Sequence, residues 1–303
     1  MTTGMTLGKF APLHRGHQYV LETALAETDH VLALIYDAPE VTDIPLPVRA
    51  SWIRTLYPRV EVLEIYDGPM TVSNAPEITR LHDAFLKQRL AGRTITHFYS
   101  SEFYGDHVSK ALAAIDRRVD GGREHVPISG TMLRSDPFRY REYLDPVVYR
   151  DLITKVVFLG APSTGKTTIA RESASRRNTV WMPEYGREYW EANQVNRRLT
   201  LEQLVEIAEE HRRREDTLTL QANKFLFVDT DATTTRQFSY YYHGQAAERL
   251  EQLADQASDR YDLFFLCQCD IPYDDTADRS GEIHREAFQR EIEADLIRRG
   301  TPL

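Results

Sequence analysis

The stretch GAPSTGKT at residues 160–167, almost at the midpoint of 303 residues, constrains this chain more than any other. It fits the pattern GxxxxGK(S/T), follows the β-branched and apolar run KVVFL at 155–159, and opens TTIARESASRR. That order of buried strand, glycine-rich turn and helix is a phosphate cradle. Gly160 and Gly165 let backbone N–H groups close around anionic oxygens, Lys166 supplies a mobile positive charge, and the hydroxyl of Thr167 is placed for Mg²⁺. Ser163, Thr164 and Thr168 complete the polar lining expected around ATP phosphates. An ordinary glycine-rich turn needs no Lys and Thr together.

Length and composition narrow the frame. A chain of 303 residues is long enough for two domains, and a 42% share of hydrophobic residues can build their cores. No apolar run reaches the ~18–20 residues of a membrane span, and no basic-then-apolar leader precedes Met5, so a cytoplasmic protein without a membrane partner is expected. A formal charge of −9 argues against bulk nucleic-acid binding, which needs a basic face. The two cysteines, Cys267 and Cys269 in FFLCQCD, share one face of an expected buried strand and provide neither a disulfide framework nor a four-ligand zinc site.

Ahead of the central loop the sequence repeats the same grammar. TLGKF at 6–10, APLHRGH at 11–17 and an apolar stripe Val20, Leu21, Ala24 and Leu25 predict strand, loop and a helix over 18–27. His14 and His17 stand three apart with Gly16 between them, so both imidazoles face a helix N-terminus while the glycine admits a ligand to the backbone. Further strands are expected at 31–37, 60–66 and 95–100, alternating with helices at 49–58 and 78–91, which calls for a parallel sheet binding ligands beyond the carboxyl ends of its strands. In VPISGTMLRSDPFRY at 126–140, Ser129 can cap a helix that begins near Gly130, with Thr131 on its first turn and Arg134 one turn on.

After the central loop, TVWMPEYGREYW at 179–190 predicts a strand ending near Met182, so Glu184 falls at its carboxyl end, where it can take a proton from an attacking hydroxyl. Arg187 lies one turn further. A long amphipathic helix is expected at 199–224, with the charged run from His211 to Arg214 as its solvated face. KFLFVDTD at 224–231 predicts a buried strand ending in two carboxylates, with Asp229 at Mg²⁺ and Asp231 beside the substrate. A last strand lies near 261–269, followed by a polar, Pro- and Asp-rich lid containing Arg279 and by a helix at 285–299.

GKFAPLHRGH resembles the nucleotidyltransferase signature GxFxPxHxGH, and ISGTMLR resembles the ISxTxxR of the same superfamily. These strings, with SSEFYGDHVSKAL at 100–112 and the passage into a phosphate-loop kinase, resemble the bifunctional NadR-type nicotinamide mononucleotide (NMN) adenylyltransferases/ribosylnicotinamide kinases over essentially the whole chain. The resemblance implies two α/β domains with mainly parallel sheets, a Rossmann-like HxGH nucleotidyltransferase at 1–145 and a P-loop kinase at 147–303. Their substrates would be ATP, NMN and nicotinamide riboside, with Mg²⁺ as cofactor and a homo-oligomer compatible with the family. In the first site it implies His14, His17 and Arg134 at the reacting phosphates, ATP contacts from Gly8, Lys9, Phe10, Gly16, Ser129 and Thr131, and Trp52 near the nicotinamide, against a purely core role for that tryptophan. In the second, PEYGREY resembles the family's EYGR segment and implies Glu184, Tyr185 and Arg187 at the acceptor, with Lys166 and Arg279 at the transferring phosphoryl group.

The sequence departs from the family in three places. Pro162 stands where relatives commonly carry Glu, Thr276 and Ala277 stand where many have Asp-Gly, and GTPL at 300–303 ends the chain where relatives continue with a strand and helix. Repressor members carry an N-terminal helix-turn-helix, for which a first strand beginning by Met5 leaves no room. A different phosphorylated acceptor fused to another small-molecule kinase, or a kinase half that only senses ATP, is the competing expectation.

Overall fold

The computed structural model describes residues 1–69, 75–102, 105–272 and 285–301. The chain divides into two compact units, Met1–Tyr149 and Arg150–Leu303.

In the first unit β1 (Thr3–Gly8), α1 (Arg15–Glu27), β2 (His30–Tyr36), α2 (Leu46–Leu56), β3 (Val60–Ile65), α3 (Pro76–Arg89), β4 (His97–Ser100), α4 (Gly105–Leu112) and β5 (Ile115–Arg118) follow one another, then α5 (Gly130–Ser135) and α6 (Pro146–Arg150). The sheet order is β3-β2-β1-β4-β5 and every pairing is parallel. Helices on both faces leave the middle strands no wet side, so Val31 to Ile35 of β2 are all buried rather than alternating. Met5, Leu32, Leu34 and Phe98 pack with Leu86 of α3, Leu90 just past its end and Val108 of α4, each such side chain contributing ~1.5–3 kcal/mol of burial. The chain leaves β1 toward β2 on one side and returns to β4 on the other. The strand order therefore reverses beside β1, and a crevice opens at its carboxyl end, where residues 9–14 lie.

The second unit runs β6 (Thr154–Leu159), α7 (Lys166–Arg177), β7 (Trp181–Met182), α8 (Tyr185–Asn193), α9 (Leu201–Thr219), β8 (Phe225–Asp229), α10 (Ala232–His243), α11 (Glu248–Asp255), β9 (Leu263–Leu266) and α12 (Arg285–Arg298). The sheet order is β7-β8-β6-β9, again all parallel. Phe158 stacks on Phe227 and Phe265 across neighbouring strands. Leu204 and Ile207 of α9, Tyr242 of α10, and Leu250 and Leu253 of α11 form a second apolar cluster. No helix among the described residues is long and apolar enough to cross a membrane.

One expectation is corrected and two stretches hold elements the sequence did not announce. The last strand stops at Leu266, so Cys267 and Cys269 lie beyond it as half-buried free thiols rather than as strand residues. The edge strand β5 reads IDRR and is exposed at every position, so no apolar pattern marks it. The helices α10 and α11 lie in a stretch to which the sequence assigned no element, because the three threonines that open α10 carry low helix propensity.

Candidate active sites

The loop after β1 is held by two arginines. Arg49 of α2 is completely buried, and its guanidinium donates to the carbonyls of Lys9 (2.5 Å), Tyr36 (2.9 Å) and Ile44 (3.0 Å) and to Asp37 Oδ1 (3.3 Å). Arg134 donates to the carbonyl of Ala11 at 2.7 Å and to Thr131 Oγ1 at 3.2 Å. Between these anchors Phe10 takes a left-handed φ of 46°, and its ring lies 4.9 Å from that of His17. His14 caps α1 by accepting the Gly16 N–H at its Nδ1, 3.1 Å away, and its ring stacks on His17 with centroids 3.7 Å apart.

Burial sets the charge of this pair. His14 is pushed down to about 4, first by desolvation and then by the neighbouring Arg123 and Arg134. His17 is lowered by complete burial and by His14 beside it. Both are neutral imidazoles at physiological pH, able to donate N–H bonds to an anion without repelling each other.

They open on a cavity of about 540 Å³ that also receives Gly8, Lys9, Phe10, Gly16, Thr131 and Arg134. Lys9 reaches across its mouth to Glu40 at 2.5 Å. Two expected residues stand apart from this wall. The Ser129 hydroxyl is occupied as the cap of α5, accepting the Met132 N–H at 3.2 Å. Trp52 is 0% exposed and belongs to the core under α2. Arg123, which the sequence reading passed over, lines the cavity and pairs with Glu102 at 2.9 Å. The signal was the preceding Asp-Gly-Gly turn, where the Asp120 carboxylate accepts the N–H groups of Glu124, His125 and Val126.

The loop after β6 is held partly by its own atoms and partly by α12. Gly160 has φ +141°, and a Cβ there would stand 2.5 Å from the Cys267 carbonyl, so only glycine fits. The Ala161 carbonyl accepts both Thr164 Oγ1 and Lys166 Nζ at 2.9 Å. Gln289 of α12 accepts the Ala161 N–H at 2.7 Å and donates to the Cys267 carbonyl at 3.0 Å, tying the loop to the end of β9. Arg285 donates to the Ser163 carbonyl at 2.9 Å.

At the end of the loop Thr167 Oγ1 donates to Asp229 Oδ2 at 2.5 Å, while Oδ1 of the same buried carboxylate has no partner. Burial, and then Glu184, raise Asp229 to about 6. A carboxylate with one unpaired oxygen beside a threonine hydroxyl suits Mg²⁺, a hard cation that keeps most of its shell as water and phosphate oxygen. The described residues contain no cluster of three His, Cys, Asp or Glu.

The cavity here measures about 370 Å³ and brings together Gly160, Ser163, Thr164, Gly165, Lys166, Thr167 and Thr168 with Glu184 and Arg187. Glu184 and Arg187 pair at 3.8 Å. Tyr185 turns away from the cavity, its ring covered by the Arg214 guanidinium at 4.0 Å. Asp231 caps α10, accepting the N–H and hydroxyl of Thr233, and lies outside the cavity wall. Arg279 and the lid around it, including Thr276 and Ala277, lie outside the described residues. His211 overturns the solvated-face reading. It is buried and lines the cavity, because it continues the stripe Leu204, Ile207 at helical spacing rather than the charged face of Arg212 and Arg213.

Comparison with known proteins bears on both sites. Residues 155–303 match a family model described as an AAA domain. The trifunctional NAD biosynthesis/regulator protein NadR of Escherichia coli (strain K12) is 28% identical over 311 aligned positions, covering 95% of this chain and 74% of that protein. NadR of Salmonella typhimurium (strain LT2) is 27% identical, covering 94% and 74%. The crystal structure of a NadR protein in complex with NR superposes with a TM-score of 0.59 at 26% identity, covering 99% of this chain and 88% of that one. Over nearly its whole length the chain is similar to NadR proteins. A second NadR structure, in complex with NAD and AMP-PNP, gives a TM-score of 0.55 at 25% identity over the same shares. The expected mixed α/β architecture with parallel sheets is present, and the P-loop lies within the matched AAA domain.

Proposed function

We propose that the chain salvages NAD in two ATP-dependent steps, one at each loop. The P-loop unit phosphorylates nicotinamide riboside to NMN. The first unit, a nucleotidyltransferase, joins NMN to the AMP moiety of ATP, giving NAD and pyrophosphate. The observation that carries this reading is the presence of two separately built anion sites, each at the carboxyl end of a central parallel strand, in one NadR-type chain. NR, NAD and AMP-PNP, the molecules held by the related crystal structures, are the substrates, products and analogues that these steps require.

In the kinase step the riboside 5′-hydroxyl attacks the γ-phosphorus of ATP. Glu184 accepts the hydroxyl proton, Lys166 moves its ammonium onto the phosphate oxygens, and the loop N–H groups hold the chain in line. Thr167 and Asp229 would hold Mg²⁺, which would supply neutralisation of phosphate charge. Arg187 orients the acceptor. In the adenylyl step an NMN phosphate oxygen attacks the α-phosphorus and pyrophosphate leaves. No protein nucleophile is needed, so His14, His17, Lys9 and Arg134 work by positioning and by meeting the charge that develops on the leaving group.

Incubation of the chain with Mg-ATP and nicotinamide riboside, followed by mass spectrometry, tests the reading. Both NMN and NAD are expected. NAD from NMN without NMN from the riboside would restrict activity to the first unit, and silence with both substrates would overturn the assignment.

A further inference from the structure

Beyond the P-loop the second cavity runs into a chamber walled by α8, α9 and α10. These helices attach to β7 and β8, on the opposite side of β6 from β9. Glu184, the proton acceptor, stands where β7 passes into α8, so an acceptor whose hydroxyl reaches Glu184 has its remaining atoms in this chamber. Its walls are mostly apolar, with Ile207, Phe238 and Tyr242 among them.

Three polar atoms interrupt that surface, one from each helix: Trp190 Nε1, His211 Nε2 and Thr234 Oγ1. All three are buried and without a hydrogen-bond partner. His211 and Thr234 are 6% and 4% exposed. Native proteins seldom leave buried polar atoms unpaired, and three around one chamber mark the surface that a ligand completes. Burial also holds His211 below its ordinary basicity, so it faces the chamber as a neutral imidazole that does not repel a cationic ring.

Resting on the kinase reading above, we infer that His211, with Thr234 and Trp190, recognises the amide on the acceptor's aromatic base and selects amide over acid. The pattern matches the chemistry of a carboxamide. The indole N–H can only donate and meets the amide oxygen, while His211 Nε2 accepts an amide N–H and Thr234 serves either edge. A carboxylate in the same place has no N–H to give, and it sets a negative oxygen against the imidazole lone pair. The aromatic faces of Trp190, Phe238 and Tyr242 suit a flat cationic base.

The test is calorimetric titration of nicotinamide riboside and nicotinic acid riboside into the full chain and into His211→Leu and His211→Gln. The unaltered chain should bind the amide at least ~10-fold more tightly than the acid, His211→Leu should lose roughly 10-fold in amide binding and most of the preference, and His211→Gln, which keeps an accepting oxygen, should regain part of both. ATP binding to the P-loop and NAD formation from NMN should not change in either variant, which separates recognition from misfolding. Equal loss for both ribosides, an unaltered preference in His211→Leu, or no riboside binding by the unaltered chain overturns the inference. Whether bound riboside is then phosphorylated tests the kinase reading separately.

Discussion

The two loops of this chain answer one demand, holding a polyphosphate at the end of a central parallel strand, by opposite means. The loop after β1 is held from outside. Buried Arg49 and exposed Arg134 grip the carbonyls of Lys9 and Ala11, and the groups turned to the ligand are neutral imidazoles. The loop after β6 is held largely by its own atoms, with Thr164 and Lys166 folded onto the Ala161 carbonyl, and a buried carboxylate stands beside it for a cation. A self-supporting loop can be written as a short contiguous string. A loop supported from elsewhere cannot, because its supports lie 40 and 123 residues away.

The sharpest way to break this comparison is to disable one loop at a time. Lys166→Met should lower NMN formation from the riboside by ~10³ and leave NAD formation from NMN intact, and His17→Ala should do the reverse. Loss of both activities in either variant would show that the loops do not work separately. Next in size is the external support. Arg49→Met removes the donor of three half-buried carbonyls and should cost the first unit about 3 kcal/mol, read as an earlier melting transition with riboside phosphorylation preserved.

These first two predictions also mark where the sequence was legible. GAPSTGKT, HRGH and the strand–helix alternation could be read directly, since each depends on neighbours in the chain. Arg49 could not, because the helix expected over 49–58 gives its first arginine no partner in the sequence, and only the fold turns it into the centre of a bonding hub. Gln289 is equally silent, one polar residue in a polar helix until it meets Ala161 and Cys267. Ser129, Asp231 and Tyr185 show the converse. Their motif positions were readable, but capping and core packing, rather than the cavity, take up their side chains.

Acidity sharpens the contrast further. Asp229 binds a proton more readily folded, at about 6, than unfolded, so its contribution to stability is complete below about 3.8 and is lost as pH rises through 6. Asp229→Asn should therefore stabilise the ligand-free second unit by on the order of 2 kcal/mol at pH 8, with no gain at pH 4, while phosphorylation falls. The first unit has the opposite slope. His14 binds its proton less readily folded, at about 4, than unfolded, near 6.5, and His17 shifts in the same direction, so stability should drop as pH falls from 6.5 toward 4. His14→Gln should flatten that fall by roughly 1 kcal/mol, measured as the melting temperature of the first unit against pH.

The Ala161 carbonyl has a consequence of its own. With Lys166 and Thr164 both directed at it, this oxygen imitates one oxygen of a bound phosphate, so the loop carries an internal competitor for its own lysine. ATP does not add a lysine contact to an idle side chain but exchanges one acceptor for another. The net gain is the difference between a charged and a neutral acceptor, so the same arrangement that keeps a buried ammonium satisfied also moderates the grip on nucleotide and favours product release.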